Sequence, residues 1–400
     1  MRILIVGMTE SIHTVRWVSQ IADQGWTVCL FPSIDCGVIH PDFSNVRLCV
    51  PLYGRKPLNK SAKISGISVF NDYLARGMNH IFTKAAFYER YRAERLARII
   101  QKMKPDAVHS IEIQHAGYLT LEARKRFRGT FPPWIVTNWG SDIYLFGRLA
   151  QHEPRIREVL AACDYYSCEC QRDVDLAKAY GFMGTILPVF PNTGGFDIAT
   201  AEHLRQPGAV SARRLILLKG YQHWAGRALF GLRALERCAD ALQGYELAIF
   251  SASPDVTIAA KLFEQTTGIP TTLVPKGTPH KEILRLHGRA RISLALSISD
   301  AISTSLIEAM VMGSFPIQSW TACADEWIRD GTSGFLVPPE DPDVVEQAIR
   351  RALDDDCLVD NAAIENWRVA VERLDHFVIK SRTIDFYKAV TQRSGQISFT

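Results

Sequence analysis

Short apolar runs recur along the whole chain, and amphipathic segments of helical length separate them. In the first half these runs predict strands near 2–7, 26–32, 106–111, 134–139, 165–169 and 185–190. In the second half they predict strands near 214–219, 245–251, 271–275, 292–298, 314–318 and 334–338. Strands that alternate with helices form parallel sheets, so the pattern predicts an α/β protein with two doubly wound, Rossmann-like domains. Such sheets bind ligands at the carboxyl ends of their strands, which predicts a central cleft that both domains face.

A segment rich in proline, glycine and polar residues, from Pro191 to Gly208, interrupts this alternation. We therefore predict an N-terminal domain, a linker, a C-terminal domain and a final helix, over 1–192, 193–210, 211–370 and 371–400. The final helix is predicted because Phe377, Ile384, Phe386 and Tyr387 recur at helical spacing.

The transition from strand to helix near residue 300 holds the pattern with the clearest chemistry. Asp300 is followed by Ser303, Thr304 and Ser305, and Glu308 comes eight positions after Asp300. The unpaired N–H groups and the positive dipole end of a helix start suit an anion. A carboxylate one turn further on can accept two hydrogen bonds from a vicinal diol such as a ribose. The spacing therefore predicts that a phosphate and a ribose are held together here.

This stretch resembles the carboxylate-x7-Glu motif of the retaining glycosyltransferases of family 4, the group 1 glycosyl transferases, which have the GT-B fold. The family usually has Glu where this chain has Asp300. The downstream segments 313–317 and 330–339 also fit the family pattern, and the resemblance covers roughly 210–355. It implies a metal-independent transferase that moves a sugar from a nucleotide-diphospho-sugar to a glycan or lipid-linked acceptor in cell-surface polysaccharide or glycoconjugate synthesis. The expected nucleotide is UDP.

The resemblance also implies roles for individual residues of the donor domain. Glu308 would hold the ribose, Asp300 the sugar hydroxyls, and the segment from Ile302 to Ser305 the phosphate. The strand end at Lys276 and Gly277 is expected to border the base. In this family the last helix crosses back onto the first domain.

Two cations flank a loop that leads from a predicted strand into a helix. Lys219 ends the strand and Arg227 precedes the helix, eight positions later. Cations in such a loop predict a clamp on a diphosphate, although the family usually has Arg and then Lys about five positions apart. Ordinary surface cations at a strand end are the alternative interpretation.

The first loop of the N-terminal domain contains Ser11, His13 and Arg16 in place of a glycine-rich fingerprint. The absence of a Gly-x-Gly-x-x-Gly pattern argues against a nicotinamide-binding site. By resemblance, this loop lies under the donor phosphates or the acceptor. A structural role for His13 is equally compatible with the sequence.

Two other strand ends in this half are candidates for the acceptor side of the site. The segment 138–142 resembles the His-Gly-Ser/Thr-Asp segment of the family, with Trp139 where His is usual. Either His115 takes over the role of that His, or Trp139 provides an aromatic platform for a sugar. Asp142 is predicted either to cap a helix or to hold the acceptor hydroxyl.

The basic residues are concentrated in the first half of the chain. Residues 1–190 hold 24 Lys and Arg against 17 Asp and Glu, whereas the whole chain has a net charge of +4. A candidate surface carries Arg55, Lys56, Lys60 and Lys63, beside the apolar residues Ile64, Ile67, Val69 and Phe70; a second lies on a helix within 84–104. A solvated face is one interpretation, and an anionic membrane surface that presents a lipid-linked acceptor is the other. No recognisable motif supports nucleic-acid binding.

Metal and cofactor chemistry are not expected from the remaining motifs. The Asp-x-Asp triplets at 341–343, 173–175 and 354–356 are predicted to be a helix cap in the first case and polar helix surfaces in the others. Nine cysteines without a Cys-x-x-Cys pair predict reduced thiols in a cytoplasmic protein. The N-terminus predicts a first strand rather than a signal peptide, and no apolar run reaches the length of a membrane span.

Three other functions are compatible with a two-domain nucleotide-binding plan. A nucleotide-sugar epimerase would turn over its substrate without an acceptor. A nucleotide-sugar-binding pseudoenzyme or partner subunit would retain the fold with altered site residues, such as Asp300 and Trp139. A two-domain solute-binding protein is the third, although no export signal is recognised.

Overall fold

The computed structural model describes residues 1–55, 59–85, 87–192 and 194–392. The chain divides into two compact units. Unit 1 contains residues up to Gly194 together with the chain from Ile379 onward, and unit 2 contains Gly195–Val378.

Unit 1 is an α/β unit. Its strands are β1 (Arg2–Gly7), β2 (Thr27–Pro32), β3 (Arg47–Leu48), β4 (Leu52–Gly54), β5 (Lys63–Ile64), β6 (Ile67–Val69), β7 (Ala107–Ile111), β8 (Trp134–Thr137), β9 (Tyr165–Ser167) and β10 (Thr185–Ile186). Its helices are α1 (Ile12–Ser19), α2 (Asp72–Thr83), α3 (Tyr88–Met103), α4 (Tyr118–Arg126), α5 (Ser141–Tyr144), α6 (Glu153–Ala162) and α7 (Gln171–Ala179). A π-helical turn, Ile113–Gly117, precedes α4.

The main sheet of unit 1 is parallel, and within the described residues it has the strand order β10-β9-β8-β7-β1-β2-β3-β5. Strands β4 and β6 pair separately. The order reverses direction between β1 and β7, and crevices at such a point bind ligands in open α/β sheets. The loops that follow β1 and β7 therefore meet where a ligand is expected.

Unit 2 has the same kind of organisation. Its strands are β11 (Leu215–Lys219), β12 (Glu246–Phe250), β13 (Thr271–Leu273), β14 (Ala290–Ala295), β15 (Phe315–Ser319) and β16 (Phe335–Val337). Its helices are α8 (Ile198–Leu204), α9 (Ala228–Arg237), α10 (Pro254–Thr267), α11 (His280–Arg289), α12 (Thr304–Met312), α13 (Pro342–Asp354) and α14 (Asp356–Leu374). The parallel sheet has the order β13-β12-β11-β14-β15-β16, so the reversal lies between β11 and β14.

Alternation along the central strands puts a hydrophobic layer on both faces of each sheet. In β1, Leu4 packs into one core and Ile5 into the other. In β11, Ile216 and Leu217 divide in the same way. Apolar burial on both faces is the main favourable contribution to folding of such units.

The last helix, α15 (His376–Thr391), packs on unit 1 from Ile379 onward. The Trp17 indole N–H donates to the Tyr387 hydroxyl over 2.8 Å, and His109 Nδ1 lies 2.7 Å from the same hydroxyl. Burial lowers the pKa of His109 to about 3, so this imidazole is neutral. His109 is therefore a structural residue of the unit 1 core.

All twelve strands predicted from the sequence are present, several of them shorter than predicted. The strands β3, β4, β5 and β6 were not predicted, because two or three residues are too few to show a period. Part of the predicted linker is helical, since α8 lies within residues 193–210, of which Thr193 is outside the described residues. The predicted final helix ends at Thr391, and residues 393–400 also lie outside them.

Two sequence-based expectations about charged residues need correction. The basic helix predicted within 84–104 is α3, but Arg92 is buried and pairs with Asp35 over 3.1 Å, so it is not part of a basic surface. Asp173, predicted on a polar helix surface, is fully buried and accepts a hydrogen bond from Asn138. Each of these two side chains forms a polar contact with another buried side chain. Neither hydrophobic periodicity nor a count of charges reveals such partners. Asp341 caps α13, as predicted.

The nine cysteines are free thiols, and seven of them are buried. Within the part of the chain that the structure describes, no helix has both the length and the apolar character needed to cross a bilayer. Lys56, part of the predicted basic segment, lies outside the described residues.

Candidate functional site

The reversal point of the unit 2 sheet brings together two of the predicted donor-binding elements. Lys219 ends β11, and its Nζ donates to Ser303 Oγ over 3.2 Å. Ser303 is the N-cap of α12, and its hydroxyl lies 2.8 Å from that of Ser305. A cation thus lies directly at a helix start whose N–H groups favour anions.

A short antiparallel pairing fixes the loop that follows Lys219. The Arg227 N–H donates to the Leu296 carbonyl over 3.0 Å, and the Ile298 N–H donates to the Ala225 carbonyl over 2.9 Å. Gly226 allows the loop to fold back closely on Tyr221, because a Cβ there would lie 2.3 Å from the Tyr221 carbonyl oxygen. The sequence predicted one strand over 292–298, but β14 ends at Ala295 and the next residues pair with the loop instead.

The Arg227 side chain is engaged within this loop. Its Nε lies 2.5 Å from Glu340 Oε1, and its guanidinium also donates to the carbonyl oxygens of His223 and Gly226 over 3.1 and 3.0 Å. These contacts stabilise the loop conformation. A role for Arg227 as a diphosphate ligand stays a prediction.

Glu308 is almost completely buried in α12, with 4% of its surface exposed. The His280 Nε2–H donates to Glu308 Oε1 over 2.7 Å, and His287 Nε2 lies 3.4 Å from Glu308 Oε2. His287 in turn contacts the Ser293 hydroxyl at 2.9 Å. Burial raises the pKa of Glu308, but the two facing imidazoles outweigh burial and lower the pKa to about 2. Glu308 is therefore an ionised acceptor at neutral pH.

The remaining predicted residues of this element differ in exposure. Ile302 and Ser305 are buried, whereas Thr304 and Asp300 are partly exposed. The Asp300 carboxylate accepts a hydrogen bond from the Ala301 N–H over 3.0 Å. The helix ends at Gly313, whose φ of +86° is a left-handed conformation that favours glycine.

A pocket of about 660 Å³ opens within unit 2, between the loops that follow β11, β12 and β13. Lys276 and Gly277, which the sequence assigned to the base, line it together with Tyr221, Trp224 and Ser253. Tyr221 also connects the pocket to Lys219, whose Nζ lies 4.8 Å from the centre of the Tyr221 ring. Aromatic and polar side chains around a concave space are typical of a ligand pocket.

Sequence reasoning missed His280, Tyr221 and Trp224 as site residues. The two aromatic residues lie in the loop after β11. The clustering of aromatic residues in that loop is the sequence feature that could have identified them. His280 precedes Glu308 by 28 positions on another helix, and no spacing rule links such a pair.

The reversal point of unit 1 holds the predicted residues of the first loop. Ser11 caps α1, since its Oγ accepts from the His13 N–H over 3.2 Å. The His13 ring meets the Trp139 ring edge to face, with centroids 5.8 Å apart. Arg16 lies one turn further along α1. The structure thus brings His13 and Trp139 together, because the loops that carry them follow strands whose carboxyl ends lie at the same edge of the sheet.

Asp142 has a structural role in unit 1, and it is not a helix N-cap. Gly140 occupies the cap position of α5, and Asp142 Oδ2 accepts from the N–H groups of Trp139 and Ile113, each over 2.9 Å. The carboxyl is buried, and burial raises its pKa. Asp142 therefore ties the loops after β7 and β8 together. The acceptor-hydroxyl role stays a prediction.

Glu112 is a second buried carboxyl at the same place, and the sequence analysis did not select it. It has a φ of +78°, a conformation that non-glycine residues rarely adopt and that clusters at functional sites. Its carboxylate accepts from the N–H groups of His115 and Ala116, and burial together with the Asp142 charge raises its pKa. His115 follows in the π-helical turn and is exposed.

Two family models match separate parts of the chain. The sequence model of the family described as Glycosyl transferases group 1 matches residues 232–368, which include Glu308, and that of Glycosyl transferase 4-like matches residues 80–167. The chain is a glycosyltransferase whose residues 232–368 match the group 1 family. No curated protein sequence matches this glycosyltransferase.

Solved structures show the same fold at low sequence identity. Sucrose-phosphate synthase from Thermosynechococcus elongatus is 15% identical with a TM-score of 0.71, covering 98% of this chain and 100% of its own. HepE from Anabaena, solved with UDP-glucose, is 13% identical with a TM-score of 0.67, covering 97% and 100%. A glycosyltransferase from Rickettsia africae is 15% identical with a TM-score of 0.67, covering 98% and 99%. The glycosyltransferase therefore has the GT-B fold predicted from its sequence.

Proposed function

We propose that this glycosyltransferase moves a sugar from a UDP-linked nucleotide-sugar to a glycan or lipid-linked acceptor, without a metal ion and with retention of configuration at the anomeric carbon. The observation that carries the proposal is the meeting of Lys219 with the start of α12, over 3.2 Å at the reversal point of the unit 2 sheet. One turn further on, Glu308 provides the ionised acceptor that a ribose diol requires.

The donor nucleotide is proposed to extend over three adjacent parts of unit 2. The base would occupy the pocket beside Lys276 and Gly277, and the ribose hydroxyls would donate to Glu308. The diphosphate would bind at the N–H groups of α12 and at Lys219. Structures of HepE from Anabaena with UDP-glucose, and of an Escherichia coli trehalose-6-phosphate protein with UDP-2-fluoro glucose, support the choice of a UDP-sugar.

Charge stabilisation of the leaving group is the chemistry that these residues would supply. The acceptor oxygen forms a bond to the anomeric carbon while the bond from that carbon to the diphosphate oxygen breaks. The acceptor proton passes to the departing phosphate, and attack from the face of departure gives retention. Negative charge grows on the phosphate in the transition state, where Lys219 Nζ and the α12 N–H groups offset it.

The acceptor is proposed to bind at the carboxyl edge of the unit 1 sheet. His13 and Trp139 form an aromatic pair there, and aromatic rings provide flat surfaces for sugars. A lipid-linked acceptor would also place the protein at the cytoplasmic surface of an anionic membrane, because Arg55, Lys60 and Lys63 are exposed on unit 1. The expected pathway class is the synthesis of cell-surface polysaccharide or glycoconjugates.

Product analysis tests the proposal. The protein is incubated with a panel of nucleotide-sugars and with lipid-linked and free glycan acceptors, and mass spectrometry detects the added sugar mass. Proton NMR of the product then gives the anomeric configuration, which should equal that of the donor. Lys219→Ala should slow transfer by about 100- to 1000-fold, whereas Lys261→Ala, on the exposed surface of α10, should leave the rate unchanged. Inverted configuration or equal activity of both variants would contradict the proposal.

A further inference from the structure

Helix α2 in unit 1 exposes its apolar side. Its buried residues are Ala75 and Asn79, which are small and polar respectively. Tyr73, Ile81 and Phe82 are 87, 71 and 51% exposed. A surface helix of a globular protein normally buries its apolar stripe and exposes its polar one, so the orientation of α2 is the reverse of the usual one.

Close backbone packing fixes this orientation. A Cβ at Gly37 would lie 2.8 Å from the Ala75 Cβ and 2.6 Å from Asn79 Nδ2, so the helix approaches this loop more closely than any larger residue allows. Asn79 Nδ2 also donates to the Leu52 carbonyl over 3.2 Å. Rotation of the apolar side inward would place bulky rings where only small side chains fit.

The apolar surface extends beyond the helix on both sides. Among the described residues, nine of the twenty-one exposed large hydrophobic side chains fall between positions 67 and 91. We call the α2 face the set formed by Ile67, Phe70, Tyr73, Leu74, Met78, Ile81, Phe82 and Phe87. Phe70 and Phe87, at its two ends, are 85 and 71% exposed. Contiguous patches of this kind mark sites of interaction with proteins or membranes.

The charges around the α2 face favour a membrane. Residues 51–88 contain six Lys or Arg and one acid, Asp72. Five of the six cations, Arg55, Lys60, Lys63, Arg76 and Lys84, lie in the described residues and are exposed. Cations beside exposed Phe, Tyr, Ile and Leu are typical of interfacial helices on anionic lipid. The cores of protein–protein interfaces are instead depleted of charged residues.

We propose that the α2 face inserts into the headgroup region of an anionic leaflet, with the surrounding cations on the lipid phosphates. At twelve residues α2 is too short to span a bilayer, and it would lie along the surface. The role of this binding rests on the proposed function, since a lipid-linked acceptor would lie at the membrane surface. The binding itself depends only on the α2 face.

Vesicle flotation of the full chain tests the proposal, with vesicles of phosphatidylcholine alone or mixed equally with phosphatidylglycerol. The protein should float with the mixed vesicles at low salt, and less at high salt, because exposed charges are screened. The double variant Ile81→Ser and Phe82→Ser should weaken binding at least about tenfold, since each side chain loses apolar burial. The triple change of Arg55, Lys60 and Lys63 to Ser should weaken binding to the mixed vesicles alone.

Ile258→Ser with Leu262→Ser is the matched control, because these residues are 71 and 63% exposed on α10 of unit 2. This control should float like the unchanged protein. Equal flotation of the α2 and α10 variants would overturn the proposal, and so would failure of the unchanged protein to bind. An α2-dependent dimer in sedimentation without lipid would overturn it in favour of a second copy. UDP affinity, measured on the same samples, reports on the proposed function separately.

Discussion

The His280 Nε2 lies 2.7 Å from Glu308 Oε1 and occupies one of the two carboxylate oxygens proposed to receive a ribose. The second oxygen faces His287 at 3.4 Å. The His280 side chain is 39% exposed and that of His287 is 1% exposed, so His280 is the one that can move aside. If Glu308 receives a ribose, we therefore expect the ribose to displace the His280 ring.

Glu308→Gln should weaken UDP binding. The amide keeps the shape of the side chain but loses the charge, and hydrogen bonds to a charged group contribute about 1.5–3 kcal/mol. This corresponds to about 10- to 100-fold in the dissociation constant. Isothermal calorimetry with UDP measures it, and Glu372→Gln, on the exposed surface of α14, is the control. Unchanged affinity would remove the ribose role from Glu308.

His280→Ala should have the opposite effect. Removal of the competing imidazole leaves Glu308 Oε1 free for a ribose hydroxyl, so UDP affinity should rise, by up to about tenfold if one charge-assisted hydrogen bond is no longer displaced. The control is His203→Ala, whose ring contacts only the Ala199 carbonyl of its own helix among the interactions described. A fall in affinity would instead make His280 a direct ligand of the nucleotide.

Glu308 should also contribute to stability in a manner that depends on pH. Its folded-state pKa of about 2 is below the ordinary value of 4.5, so folding favours the ionised form. The stabilisation, of about 3 kcal/mol, is complete above pH 4.5 and is lost as the pH falls toward 2. Urea denaturation of the unchanged protein and of Glu308→Gln should show a difference that shrinks in this window. A constant difference from pH 7 to pH 3 would contradict the prediction.

Much of this glycosyltransferase could be predicted from its sequence, because the strands of both sheets are continuous apolar runs with polar loops between them. The Lys219 strand end and the Ser303 helix start could be predicted for the same reason, since each follows a strand at the same sheet edge. The partners of Arg227 and Glu308 could not, because Glu340 and His280 come from other elements and no period connects them. The inverted orientation of α2 depends on Gly37 and Gly54, whose close approach to the helix is visible only in three dimensions.

Catalysis should depend on Lys219 and not on a divalent metal. Lys219→Ala should reduce the rate of transfer much more than it weakens uridine binding, because charge on the leaving phosphate grows in the transition state. Loss of one such electrostatic contact typically costs about 100- to 1000-fold in rate. Activity of the unchanged protein should survive excess EDTA. Abolition by EDTA and rescue by manganese would contradict the metal-independent mechanism.

We expect a nucleoside diphosphate to bind unit 2 across Lys219, the start of α12 and the pocket that Lys276 lines. Hydrogen–deuterium exchange with and without UDP tests it most directly, because backbone amides report the bound segments without requiring the acceptor. UDP should slow exchange in residues 215–227, 274–284 and 296–312, while helix α6 of unit 1 should be unchanged. Protection absent from these three segments, or confined to the loops after β1 and β7 of unit 1, would contradict the account.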